Sequence, residues 1–136
     1  MAEKSFKIEI VTPERIVISK DIVSLIVPGM EGSLGILADH APLMVELGIG
    51  EITLRDPEGK IERMATSGGF MEVSNNSVRI LADTLEKADE IDVARAEEAK
   101  RRAEEYLRNR DAGIDLTRAE TSLKRAITRI RVAQGQ

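Results

Sequence analysis

A mainly β fold with a helical appendage is predicted: an N-terminal antiparallel β-sandwich followed by a C-terminal two-helix antiparallel hairpin. Three features of the chain carry this expectation. Through the first part, apolar residues alternate or cluster in short runs, interrupted by turn-forming residues roughly every eight to twelve positions. After Asp83 the β-branched residues thin out and alanine, glutamate and arginine take over, with apolar positions at three- and four-residue steps. The charge balance changes at the same place. Residues 1–89 carry 9 basic and 15 acidic side chains, net −6, whereas residues 90–136 carry 11 and 9, net +2. The expected domains are therefore a β-sandwich over 1–84 and a helical hairpin over 85–136.

Phe6-Lys7-Ile8-Glu9-Ile10 alternates, Ile22 to Val27 is one run rich in β-branched residues closed by Pro28-Gly29, and Glu51-Ile52-Thr53-Leu54-Arg55 alternates again. Asp56-Pro57-Glu58-Gly59 reads as a turn into Lys60 to Met64, because proline presets one turn dihedral and glycine tolerates the left-handed one. Gly68-Gly69 precedes the strand Phe70 to Val73, and Ser74-Asn75-Asn76-Ser77 links it to Val78 to Leu81. Many short strands with regular turns favour a sandwich or flattened barrel over βαβ units.

Asp89 or Asp92 offers an N-cap for the first helix, whose stripe is Ala96, Ala99, Ala103 and Leu107. Asn109 to Gly113 breaks it. Asp115, or a capping box of Thr117 and Glu120, opens the second helix, whose stripe is Leu116, Ala119, Leu123, Ala126 or Ile127, and Ile130. Alanine removes little apolar area from water on burial, whereas each Leu or Ile contributes about 1.5–3 kcal/mol. A hairpin presenting alanine is expected to be loosely held and to need a surface to dock on.

Composition removes several classes of function. No Cys excludes disulfides, thiolate metal sites and a cysteine nucleophile, and a single histidine excludes multi-His metal clusters. With 2% aromatic residues there is little with which to stack bases, which opposes a nucleic-acid role and requires an aliphatic core. A hydrolase would depend on His40 alone, and Asp39 beside it is no triad. The glycines at 32, 35, 68 and 69 match no phosphate-loop spacing and read as turn and bulge residues. No 18-residue apolar run predicts a membrane span.

The arginines point to a ligand. Arg95 and Arg102 lie seven apart on the first helix, and Arg125 and Arg129 four apart on the second, so closing the hairpin brings guanidinium groups towards one another. They repel unless an anion lies between them, and guanidinium is shaped for bidentate phosphate contacts. A polyphosphate is the expected latch, with Asp92 and Glu86 accepting bonds from a base amino group or ribose hydroxyl. The bland alternative is a solvated charged face held by pairs such as Glu98 with Arg102.

Two stretches carry a resemblance over nearly the whole chain. Gly32-Ser33-Leu34-Gly35-Ile36-Leu37-Ala38-Asp39-His40-Ala41-Pro42-Leu43 and Ser67-Gly68-Gly69-Phe70-Met71-Glu72-Val73 resemble signatures of the epsilon-subunit family of bacterial F-type ATP synthases. Ile91-Asp92-Val93-Ala94-Arg95-Ala96 resembles that family's nucleotide-binding motif, and Val11-Thr12-Pro13-Glu14 also fits. The resemblance implies a non-catalytic rotor subunit at the cytoplasmic face of the cell membrane, attached only through the complex. Its β domain would contact the gamma subunit through Leu37, His40, Ala41, Pro42 and Leu43 and sit on the c-ring. Its hairpin would extend to the beta subunits through Arg118, Lys124, Arg125 and Arg129 and inhibit ATP hydrolysis. ATP, as a regulatory ligand and not a cofactor, would favour the folded hairpin through Glu86, Ile91, Asp92, Arg95, Ala96, Arg102, Arg125 and Arg129. No metal site, catalytic residue or nucleic-acid partner is expected. The alternative within the family is a fixed rotor part without ATP-controlled switching.

Overall fold

The computed structural model describes residues 3–109 and 116–135. Among the described residues ten strands precede two helices: β1 (Phe6–Val11), β2 (Ile16–Ile22), β3 (Ser24–Gly29), β4 (Gly32–Leu37), β5 (Leu43–Leu47), β6 (Gly50–Arg55), β7 (Ile61–Thr66), β8 (Gly69–Ser74), β9 (Ser77–Ala82) and β10 (Leu85–Lys87). A 3-10 turn over Ala88–Glu90 leads into α1 (Val93–Asn109), and α2 (Leu116–Gln134) follows. The turn expected over 110–113 and the cap expected at Asp115 lie outside the described residues.

The strands run in the order β10-β7-β6-β3-β5-β8-β9-β1-β2, with β4 paired to β3. All pairs are antiparallel except β1 with β9, which run parallel from Lys7↔Ser77 to Val11↔Leu81. The sheet curls so that its far ends meet. Lys20 on β2 donates to Glu62 on β7, and the Val23 N–H after β2 donates to the Arg55 carbonyl on β6 at 2.9 Å. Alternation then sorts the side chains: Ile8, Ile10, Ile22, Leu25, Ile36, Ile52, Leu54, Met64, Met71 and Ile80 are fully buried between the layers. Phe6 is the only aromatic residue in this core; Phe70 and Tyr106 are exposed.

Two segments differ from the sequence expectation, the run Ile22 to Val27 and the residues just beyond 84. The run Ile22 to Val27 is two strands broken at Val23, because both Ile22 and Val23 are buried and the chain turns from one layer to the next between them. Much of the stretch from Gly32 to Leu43 is strand, with only residues 38–42 looping between β4 and β5. A short strand, β10, lies beyond residue 84 and pairs Glu86 with Ala65 on β7.

In α1 the buried positions are Ala96 and Ala103, with Ala99 and Leu107 half-buried, as the stripe predicts. In α2 they are Ala119, Ala126, Thr128 and Val132. Leu116, the first residue of α2, is exposed, and so is Ile127, which the buried seven-residue step from Ala119 to Ala126 leaves turned about 100° away. Thr117 lies inside the first turn of α2, one residue past its start, so it is not the cap. Asp92 is the cap of α1: its Oδ1 accepts the Arg95 N–H at 3.1 Å.

The helices pack on each other, and it is α2 that lies against β6 and β7. The contact is a small cluster of Ala65, Ile91 and Val132, flanked by Ala88 and Ala133. It is much smaller than the sandwich core and mostly alanine and valine.

Candidate functional site: a basic cavity between the sheet edge and the helices

Pairing of β10 with β7 sets Leu85 opposite Thr66 and Glu86 opposite Ala65, forming one wall of an open cavity of about 640 Å³. The lining on this side is Ala65, Thr66, Ser67, Thr84 and Glu86; the opposite side is Arg95 from α1 and Arg125, Thr128 and Arg129 from α2. The Lys87 N–H donates to the Glu90 carboxylate at 3.0 Å, Ile91 is buried, and Asp92 starts α1, so a short ordered path carries the chain from the sheet wall to the helix wall.

Three guanidinium groups face one carboxylate across this space. Arg129 Nη2 donates to Glu86 Oε2 at 2.8 Å. Its Nε lies 2.7 Å from Oε1, yet that N–H is out of line, and the buried Nε is left without a hydrogen bond. Among the described residues, neither Arg95 nor Arg125 has a carboxylate at ion-pair distance. The protein thus supplies its own carboxylate to Arg129, while Arg95 and Arg125 line the same cavity. On the sheet side Ser67 Oγ and Thr84 Oγ1 share a hydrogen bond of 2.7 Å, while Thr128 Oγ1 is satisfied by the Lys124 carbonyl one turn back at 2.8 Å.

Of the eight residues expected around a nucleotide, Glu86, Arg95, Arg125 and Arg129 line the cavity and four do not. Ile91 packs in the small cluster under α2, Asp92 caps α1, and Ala96 is fully buried. Arg102 lies away from the cavity and pairs with Glu98 at 3.2 Å. Seven helical residues span about 10.5 Å along the axis, so sharing a face with Arg95 carries Arg102 past the sheet edge. The hydroxyls of Thr66, Ser67 and Thr84 become neighbours through the β7–β10 pairing, which no local pattern announces, and that of Thr128 joins them from α2.

The other expected contact residues are mostly at the surface. Leu37 ends β4 and is 62% exposed, Ala41 and Pro42 are exposed in the loop, and His40 and Leu43 are half-buried. His40 Nδ1 lies 2.7 Å from the Ala41 carbonyl. On α2, Arg118, Lys124 and Arg125 are exposed and Arg129 is half-buried. No helix among the described residues is long and apolar enough to cross a membrane, and no cluster of metal-ligating side chains occurs among them.

Comparison with known proteins covers both parts of the chain. The model for the ATP synthase, delta/epsilon chain, β-sandwich domain matches residues 5–88, and that for the long α-helix domain of the same chain matches 89–134. The ATP synthase epsilon chain of Syntrophomonas wolfei is 49% identical over 134 residues, 98% of each chain. That of Moorella thermoacetica is 48% identical over 129 residues, 95% of this chain and 96% of its own. Among solved structures, a chain of the Euglena gracilis mitochondrial ATP synthase OSCP/F1/c-ring assembly superposes with a TM-score of 0.83 at 19% identity, covering 94% of this chain and 81% of that one. A chain of the Tetrahymena thermophila mitochondrial ATP synthase central stalk and c-ring gives 0.60 at 16% identity, covering 99% and 98%. At these identities the two structures speak for the fold. With matches to both domain models and near full-length identity to bacterial relatives, the chain belongs to the delta/epsilon family of ATP synthase subunits.

Proposed function

We propose that the chain is a non-catalytic epsilon subunit of the central stalk of a bacterial F-type ATP synthase, held at the cytoplasmic face of the membrane only through the complex. In this reading the sandwich unit, 1–84 together with β10, binds the gamma subunit through the loop of Leu37, His40, Ala41, Pro42 and Leu43 and rests on the c-ring. The helical unit regulates. Docked, it leaves rotation free; extended, it offers Arg118, Lys124, Arg125 and Arg129 to the acidic surface of the beta subunits and restrains hydrolysis. Opposite charge would steer that contact and make it salt-sensitive.

ATP would act as a regulatory ligand of the docked state. The observation that carries this is the cavity itself: its anion-binding groups come from α1 and α2 while its other wall is the sheet edge, so a ligand filling it holds helices to sandwich. Such a site exists only while the hairpin is docked. A ligand that binds one of two states stabilises it by an amount that grows with concentration, about 2.7 kcal/mol at a hundredfold excess over Kd.

A fixed hairpin is the competing reading, favoured by the Glu86–Arg129 ion pair, which already ties α2 to β10. Calorimetric titration of ATP into the full chain and into the double variant Arg95→Ala/Arg125→Ala tests the site. Binding by the wild type and its loss in the variant support the assignment; equal heats contradict it.

A further inference from the structure

Glu86 occupies the hydrogen-bonding edge of Arg129, one of three arginines that line the cavity. A carboxylate and a phosphate offer guanidinium the same pair of acceptor oxygens, so the two are alternatives at one donor set. Here the carboxylate has the position: Nη2 donates to Oε2 at 2.8 Å, and Oε1 lies 2.7 Å from Nε. The pair is a half-buried bridge between residues 43 apart, from β10 to α2, with side-chain exposures of 26% for Arg129 and 34% for Glu86. Arg95 and Arg125 line the same cavity with no such partner among the described residues. One of three ligand-facing cations is therefore occupied from within, and imperfectly, since the buried Nε has no hydrogen bond.

We propose that Glu86 is a built-in competitor for the polyphosphate of this cavity. Its carboxylate latches α2 to β10 while the cavity is empty and must release Arg129 before a phosphate takes it. The inference rests on the polyphosphate reading above and changes one role in it: Glu86 acts at the phosphate end, against the ligand, and not as an acceptor for the base. Two consequences of opposite sign follow. Removing the charge weakens the empty docked state and strengthens ligand binding. Docking then depends more steeply on the ligand, because less of it is supplied by the protein.

Titration of ATP and of inorganic tripolyphosphate into the wild type, Glu86→Gln, Arg129→Gln and Glu86→Gln/Arg129→Gln tests this. Glu86→Gln is expected to bind both ligands roughly threefold more tightly or better, in keeping with the modest worth of a half-exposed ion pair. In the Arg129→Gln background the Glu86 substitution is expected to change nothing, as no guanidinium remains to contest. Weaker ATP binding by Glu86→Gln with unchanged tripolyphosphate binding overturns the competitor and returns Glu86 to the base. Absence of heat with both ligands in all proteins overturns the polyphosphate reading itself. Independently of any ligand, hydrogen exchange of α2 amides is expected to speed up in Glu86→Gln while β8 and β9 amides stay unchanged. Unaltered exchange in α2 overturns the latch.

Discussion

The side chain of Asn76 accepts the backbone N–H of Asp39 at 2.7 Å and donates its amide to the Ser5 carbonyl at 3.0 Å. Asn75 and Asn76 both have positive φ, 51° and 56°, as a two-residue hairpin turn between β8 and β9 requires, and Asp39 is itself left-handed at 61°. One turn thus pins both the N-terminal segment and the exposed loop proposed to face gamma. Replacement of Asn76 by alanine is expected to cost about 1–2 kcal/mol, from the lost hydrogen bonds and the left-handed backbone, and to speed exchange of the Asp39 amide. Asn76→Gly keeps the turn and should lose only the pin. Exchange at Asp39 equal to wild type in both variants would show that the loop holds itself.

A glycine at 69 is required by geometry. Its φ is 144°, and a Cβ there would stand 2.1 Å from the Leu81 carbonyl oxygen of the paired strand. Gly69→Ala is expected to destabilise the sandwich by about 3 kcal/mol in urea unfolding, whereas Gly35→Ala, with nothing within 4 Å, should fall within about 0.5 kcal/mol of wild type. Equal effects at the two sites would contradict this account of the β8–β9 edge.

The two helices pack on each other, and alanines are prominent among their buried residues: Ala96 and Ala103 on α1, Ala119 and Ala126 on α2. Close approach of this kind leaves no room for a larger side chain. Ala103→Leu should cost the hairpin about 1–3 kcal/mol by overpacking and lower the helical dichroism well before the sheet melts. A single melt with both signals lost together would mean that the helices and sandwich unfold as one unit.

At the opposite end, Arg55 holds Glu3 by two hydrogen bonds of 2.7 and 2.8 Å, and these pull the Glu3 carboxyl below its ordinary value of 4.5. A carboxylate lowered on folding contributes stability above its unfolded pKa and loses it as pH falls through the lower folded value. Titration of Glu3 by carbonyl chemical shift should give a midpoint under 4.5 that returns towards it in Arg55→Gln. An unchanged midpoint would show the pair to be loose in solution.

What sequence pattern reveals here is local, and what it hides is pairing over distance. Asp56-Pro57-Glu58-Gly59 announces its hairpin because the turn chemistry is contained in four residues, and the Asp56 carboxylate indeed accepts the Glu58 and Lys60 N–H groups at 3.0 and 2.9 Å. The parallel pairing of Lys7 with Ser77 is invisible, since neither strand's alternation names its partner. The same limit applies to the cavity. Arg95, Arg125 and Arg129 are legible from helical spacing, yet Ser67 and Thr84 join them only through β10, three residues too short to register as a strand. Arg102 illustrates the converse: a shared helix face fixes direction around the axis and says nothing about which neighbour stands there.

Whether the hairpin has a second resting place is read most directly as a distance. The chain contains no cysteine, so spin labels at Arg101→Cys on α1 and Glu58→Cys in the β6–β7 turn report only their own separation. Pulsed dipolar measurement on the full chain should give two populations without nucleotide, merging into the docked one as ATP is raised. A single unchanged distance across the whole ATP series would contradict the account and leave the subunit a fixed part of the rotor.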